Sequence, residues 1–187
     1  MKFVYVSGRR CLDFAGTLKY RTSEREELLT DPGLLSDWAV QAGLLDDAIE
    51  ITDDDLVAAI AIREAIYRTV IARLEQRWPQ VSDVNLINEW ASQPQLTARL
   101  LRTGATRREG TAAQLLASLA ADLLDLIAGA DIENVKECSD PGCTRLYLDA
   151  SRGHNRHWCG MGTCGNRAKV QAFRARQARQ RAASEST

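Results

Sequence analysis

Apolar positions recur at three- and four-residue spacing through most of the first two thirds of the chain, a period that predicts helices rather than strands. Leu34, Leu35, Trp38, Ala42 and Leu45 share one face, behind the turn Asp31-Pro32-Gly33 and with a stop at Gly43. Thr52 followed by Asp53, Asp54 and Asp55 is an acidic start for a long amphipathic helix carrying Leu56, Ile60, Ile66, Val70, Ile71 and Leu74, ended by Pro79. Another helix begins at Asp83, reaches Trp90 and stops before Pro94. The stretch from Thr111 to Ala128 is the most apolar and is predicted to be the centre of the core, closed by Gly129. Period-two patterning is rarer. Phe3-Val4-Tyr5-Val6 reads as a short strand ending at Gly8, and residues 96–109 as a hairpin turning near Gly104. Cys11 to Leu18 fits either helix or strand.

The run from Ala112 to Ala130 approaches membrane-spanning length, but Asp122 and Asp125 would each cost roughly 2.5–3.5 kcal/mol near a bilayer centre. A buried helix is therefore expected. The first ten residues carry too short an apolar run for a signal peptide, so a cytoplasmic protein is expected. At 187 residues with 45% hydrophobic and 26% charged positions, the chain has room for one globular domain and a small module.

The net charge of −1 conceals a division. Residues 1–134 hold 14 Lys and Arg against 21 Asp and Glu, a balance of −7; residues 135–187 hold 10 against 4, a balance of +6. An acidic body joined to a basic contact module is the expected organisation, with the boundary near 132–135.

The basic segment contains four of the five cysteines. Cys138 and Cys143 enclose four residues, Cys159 and Cys164 another four, and fifteen separate the pairs. Two close pairs at this separation can wrap one tetrahedral zinc ion, and a reducing compartment argues against disulfides. Pro141-Gly142 in the first pair, and Gly160 and Gly162 in the second, let the backbone fold tightly enough to aim amides at the sulfurs. Four thiolates fill the coordination shell, so the zinc is expected to be structural. His154 or His157 as ligands, and four free buried thiols, are the competing readings. The second weakens because this segment has too few large apolar groups to fold unaided. Arg145-Leu146-Tyr147-Leu148 and His157-Trp158 read as two strands, and the second pair leads into a helix from about Gly165 to Ala183. Knuckle, hairpin, knuckle and helix make a treble-clef-like finger. The fold class expected is mainly α with small β elements: a helical N-terminal domain (1–134) and a C-terminal zinc finger (135–187). Cys11, alone in the body, reads as a small buried residue.

Trp158-Cys159-Gly160-Met161-Gly162-Thr163-Cys164-Gly165-Asn166-Arg167-Ala168-Lys169 resembles the signature of the CGNR-type zinc fingers, and Cys138, Cys143 and Leu148-Asp149-Ala150-Ser151 fit the same pattern. Upstream, Cys11-Leu12-Asp13-Phe14, Thr17-Leu18, the helix with Trp38 and Gly43-Leu44, and the Ala/Leu-rich helix before the finger resemble the ABATE domain that accompanies it in bacterial proteins. Gly16 stands where that family usually has asparagine, and Gly160 where serine is common. The resemblance implies a bacterial transcription regulator linked to stress, with the finger as its DNA-binding part.

Residue chemistry bears on that implication separately. Between Arg167 and Arg181 there are six basic residues and no acidic one. On a helix, Arg167, Arg174 and Arg181 form one row, Lys169 and Arg176 a second, with Val170 and Phe173 between, expected to face the hairpin. Arg156 adds charge nearby. A stiff basic helix suits a phosphate backbone, and thin side chains at Ala168, Ala172, Ala175 and Ala178 suit close approach to a groove. DNA is the expected partner; RNA, an acidic protein, and contact with the acidic body are alternatives. Asp13, Arg10, Cys11 and Thr17 cluster without forming a nucleophile–base pair, and both histidines lie in the finger, so no enzyme is expected. A small-molecule effector and a homodimer are further roles open to residues 1–134.

Overall fold

The architecture is that of a computed structural model describing residues 3–185; within its last helix the side chains of 178, 179 and 181–185 lie outside the described residues. Five helices form the body: α1 (Arg10–Ala15), α2 (Pro32–Gln41), α3 (Asp53–Leu74), α4 (Val81–Ala91) and α5 (Ala112–Ala128). Six short strands pair antiparallel as β1 (Leu18–Lys19) with β2 (Glu26–Glu27), β3 (Thr97–Leu100) with β4 (Thr106–Glu109), and β5 (Val135–Glu137) with β6 (Leu146–Leu148). A long helix, α6 (Asn166–Glu185), closes the description.

The helix starts are chemically defined. The Asp31 carboxylate accepts the Leu34 amide ahead of α2, while Thr52 with Asp55 and Thr111 with Gln114 form reciprocal capping boxes at α3 and α5. Gly43, at φ +68°, follows the end of α2 in the left-handed conformation that a side chain resists. α5 is the core element expected: Leu115, Leu116, Leu119, Ala120, Leu123 and Leu126 are buried against α1, α3 and α4. Asp122, on its flank, pairs with Arg9 (2.8 Å) and accepts the Cys11 amide (2.8 Å). Among the described residues no helix is long and apolar enough to cross a membrane.

On α3 the buried face coincides with the expected one only at Ile66 and Val70. Ala59, Ile62, Ala65, Ile66 and Val70 are buried, whereas Leu56, Ile60, Ile71 and Leu74 flank the core half-buried. Small alanines bring α3 close to its neighbours, which turns the helix away from its bulkiest stripe. That face also carries Arg63, only 1% exposed. Its guanidinium grips Glu27 with two bonds (2.6 and 2.7 Å) and reaches Glu64 (2.9 Å). Glu64 also takes Arg21 (2.5 Å), which stacks over the Tyr67 ring at 3.9 Å. A buried guanidinium survives only with its donors satisfied this completely.

Two predicted strands do not form. Phe3–Val6 is extended but unpaired as a strand, and its carbonyls instead receive side chains from the finger. His157-Trp158 is loop, so the hairpin beside the knuckle is β5–β6, with Val135 opposite Leu148 and Glu137 opposite Leu146. A two-residue segment has no ladder of its own; here its carbonyls accept the Ser139 amide at His157 (2.9 Å) and Arg156 Nε at Trp158 (2.7 Å).

Val135 and Leu146 enter the same apolar cluster as the helical body. The Leu148 amide donates to the Ser7 carbonyl (2.7 Å), the Arg21 amide to Thr144 Oγ1 (3.2 Å), and Tyr67 to Glu137 (3.2 Å). Arg145, 9% exposed, reaches across to the carbonyls of Val4 (3.1 Å) and Gly16 (3.2 Å). Gly16 has to lack a side chain for this. A Cβ there would lie 2.3 Å from Arg145 Nη1 and 2.8 Å from Cζ. Gly16 thus matches an arginine 129 positions away.

Candidate metal centre

Cys138 follows β5 and Cys143 lies in the turn before β6, which brings the first pair together in the loop that closes the hairpin. Asp140 shapes that turn: its carboxylate accepts the Gly142 amide (3.2 Å) and its carbonyl the Cys143 amide (2.8 Å). The second pair sits where the chain enters α6. Residues Met161–Gly165 make one wide π-type turn, closed by the Gly165 amide on the Gly160 carbonyl (3.0 Å), and this aims Cys164 back at Cys159. At Gly165 a Cβ would meet Met161 Sδ at 2.8 Å, so the turn closes around a residue without a side chain.

All four sulfurs lie within 4.8 Å of one another. Cys143 and Cys159 are 3.8 Å apart, and Cys159 and Cys164 3.7 Å. A tetrahedron of sulfurs around zinc at ~2.3 Å has edges of about 3.8 Å, so the spacing fits the ion. The Cys159 amide points at Cys138 Sγ (3.4 Å). Without a cation the sulfurs are in conflict. Hydrogen bonding from Cys159 pulls the Cys143 thiol down to about 5, while Cys159 is pushed far up by its bond to Cys143, and burial raises Cys164 to about 12. A thiolate is favoured at Cys143 while Cys159 and Cys164 are held protonated; a dication resolves this by displacing their protons. His154 and His157 are outside the sulfur cluster. The site is a closed four-thiolate shell for one structural zinc ion.

A second cluster holds the loop between β6 and the second pair. Asp149, fully buried, accepts Lys136 (2.7 Å), Ser151 Oγ (2.6 Å) and the Arg156 amide (2.9 Å). The Lys136 ammonium, followed by Ser151, holds its carboxyl well below the usual carboxylate range. Tyr147 donates to the Arg156 carbonyl (2.7 Å) under the Arg156 guanidinium, 4.6 Å from the ring.

These bonds sort the basic residues. Arg156 is employed internally: it donates to the carbonyls of Trp158 (2.7 Å), Cys159 and Val6 (3.5 Å). Arg167, exposed, pairs with Asp140 (3.1 Å), tying the start of α6 to the first knuckle; Tyr20 and Asp140 raise its pKa. Lys169, Arg174 and Arg176 are exposed, with no acidic partner among the described residues. The Arg181 side chain lies outside the described residues. Val170 and Phe173 do not face the hairpin as expected; they are 41% and 54% exposed. The opposite face, with Ala168 half-buried and Gln171, Ala172 and Ala175 exposed, lines an open groove with Pro141, His157 and Trp158. These roles of Asp140, Arg145 and Asp149 are not visible locally, because Arg167, the Val4 and Gly16 carbonyls, and Lys136 lie on other elements.

A sequence profile described as ABATE, putative stress-induced transcription regulator, matches residues 8–130. The chain belongs to the ABATE family. The CGNR zinc finger profile matches residues 134–177, which contain all four sulfurs. In the ABATE portion, α1 supplies Cys11, Leu12, Asp13 and Phe14, all buried. Cys11 is fully enclosed, and burial raises its thiol well above the ordinary value. Asp13 accepts the Ser7 amide (3.0 Å); burial raises its carboxyl pKa, against the pull of the Ser7 donors and of Arg145. No curated protein matches the chain.

Proposed function

We propose that this chain is a cytoplasmic, stress-linked transcription regulator that binds duplex DNA through α6. The observation that carries the reading is the outward face of that helix. Val170 and Phe173 stand at its centre, Arg167 and Arg174 along one edge, Lys169 and Arg176 along the other. A helix laid in the major groove needs this section: apolar and thin groups toward base edges and thymine methyls, cations toward the two flanking phosphate backbones. Twenty residues give about 30 Å of rod. Zinc and the Arg167–Asp140 pair fix its base, so little conformational freedom is lost on binding. In this reading 135–187 is the contact module and 1–134 receives the signal or forms the dimer contact. A filled thiolate shell has no open position for substrate, and no catalytic role is assigned.

The test is a fluorescence anisotropy titration of random-sequence duplex across a salt series, with wild type and a Lys169→Ala, Arg174→Ala, Arg176→Ala variant. These exposed residues can be removed without disturbing the fold. The expected result is weaker binding and a salt slope reduced by about one for each phosphate no longer neutralised. Equal affinity and equal slope would remove the reading. Exposed Val170 and Phe173 also favour an acidic protein partner as a second reading. Binding of such a partner would fall with Phe173→Ser while no duplex shifts at low salt.

A further inference from the structure

Three of the four zinc-binding sulfurs form part of a cavity wall. Cys143, Cys159 and Cys164 line a space of about 150 Å³ between the finger and the body, with Val4, Gly16 and Leu18 opposite and Lys19, Arg145 and Arg167 around them. Cys138 is not in that wall. Cys143 is the half-buried member of the cluster, whereas the other three sulfurs are buried. We infer that Cys143 is a modification site for peroxide-class oxidants, the cavity admitting a small neutral oxidant to a zinc-bound thiolate.

Charge and geometry favour this over other occupants. A zinc ion with four thiolates carries −2, and the lining cations already face Glu26, Asp140 and the sulfurs, so an anion gains little there. A neutral peroxide meets no such barrier. Oxidation is favoured over alkylation because a second thiolate stands 3.8 Å away to complete it. The Cys143 thiolate attacks one peroxide oxygen; the O–O bond breaks, giving a sulfenic acid and hydroxide. The Cys159 thiolate then attacks the Cys143 sulfur, forming the disulfide and expelling a second hydroxide. Two thiolates lose two electrons in total and the peroxide gains them. Only Cys138 and Cys164 would then remain to hold a metal ion, and the turn that carries Cys164 and the base of α6 would lose its anchor.

The test uses the full zinc-loaded chain and hydrogen peroxide, read by a zinc-binding dye and by disulfide mapping in a mass spectrometer, both independent of DNA binding. Expected are one zinc released per chain, a first disulfide joining Cys143 and Cys159, recovery with dithiol and zinc, and Cys11 still reduced. Thr163→Trp, placed at the exposed lining of the cavity, slows release by about tenfold or more at unchanged zinc content. Zinc retained at roughly tenfold excess peroxide, or a first modification that excludes Cys143, overturns the proposal. So does equal release from wild type and a zinc-loaded Thr163→Trp protein. If that variant does not hold zinc, the wild-type map decides alone.

Discussion

Replacing Gly16 with alanine should destabilise this protein, and removing Arg145 should reverse the sign of that effect. The added Cβ would stand 2.3 Å from Arg145 Nη1, so the guanidinium must leave the Val4 and Gly16 carbonyls. Hydrogen bonds from a charged donor contribute about 1.5–3 kcal/mol each. The displaced group can swing into the adjoining cavity and meet water, so a total near the lower end, about 3 kcal/mol, is expected. With Arg145→Ala in place the clash is gone. Gly16 has φ −75° and ψ 0°, a conformation alanine adopts freely, so the second substitution becomes neutral or stabilises by up to about 1 kcal/mol. Urea unfolding of the zinc-loaded wild type, both single variants and the double variant gives the cycle, with Trp38, buried against Phe14, as the fluorescent reporter. The same cost in both backgrounds, or no cost in wild type, would refute the docking described for the finger.

Arg63→Met removes a guanidinium that holds Glu27 and Glu64, and should lower stability by about 2–4 kcal/mol in the same assay; a change under about 0.5 kcal/mol would contradict the network. Val170→Ser with Phe173→Ser should shift unfolding by less than about 0.5 kcal/mol because both side chains are exposed, whereas packing on the hairpin would make the loss several times larger. Zinc binding at pH 7 should release at least the two protons that Cys159 and Cys164 hold in the metal-free cluster, seen by calorimetry in buffers of different ionisation enthalpy. Because ligands deprotonate on binding, zinc affinity rises with pH; an affinity that falls or stays level between pH 5 and about 7 would be inconsistent with thiolate ligands.

What could be read from the sequence was local chemistry. Asp31, Thr52 and Thr111 start their helices through bonds three residues long, and the leucine face of α5 is periodic enough to declare itself. The four cysteines likewise carry their own spacing. What escaped depends on partners far along the chain. Nothing near Arg63 reveals that Glu27 will bury it, and nothing near Phe3–Val6 says that its carbonyls will be taken by arginines from the finger rather than by a strand. The exposure of Val170 and Phe173 has the same origin: helical period identifies two faces of α6, and nothing local says which of them meets the finger.

The finger depends on a single zinc ion closed in by Cys138, Cys143, Cys159 and Cys164. X-ray absorption at the zinc edge of the purified full chain tests this most directly. One zinc per chain with four sulfur neighbours at about 2.3 Å is the predicted result; a shell containing histidine nitrogen or water oxygen, or no stoichiometric zinc, would contradict it.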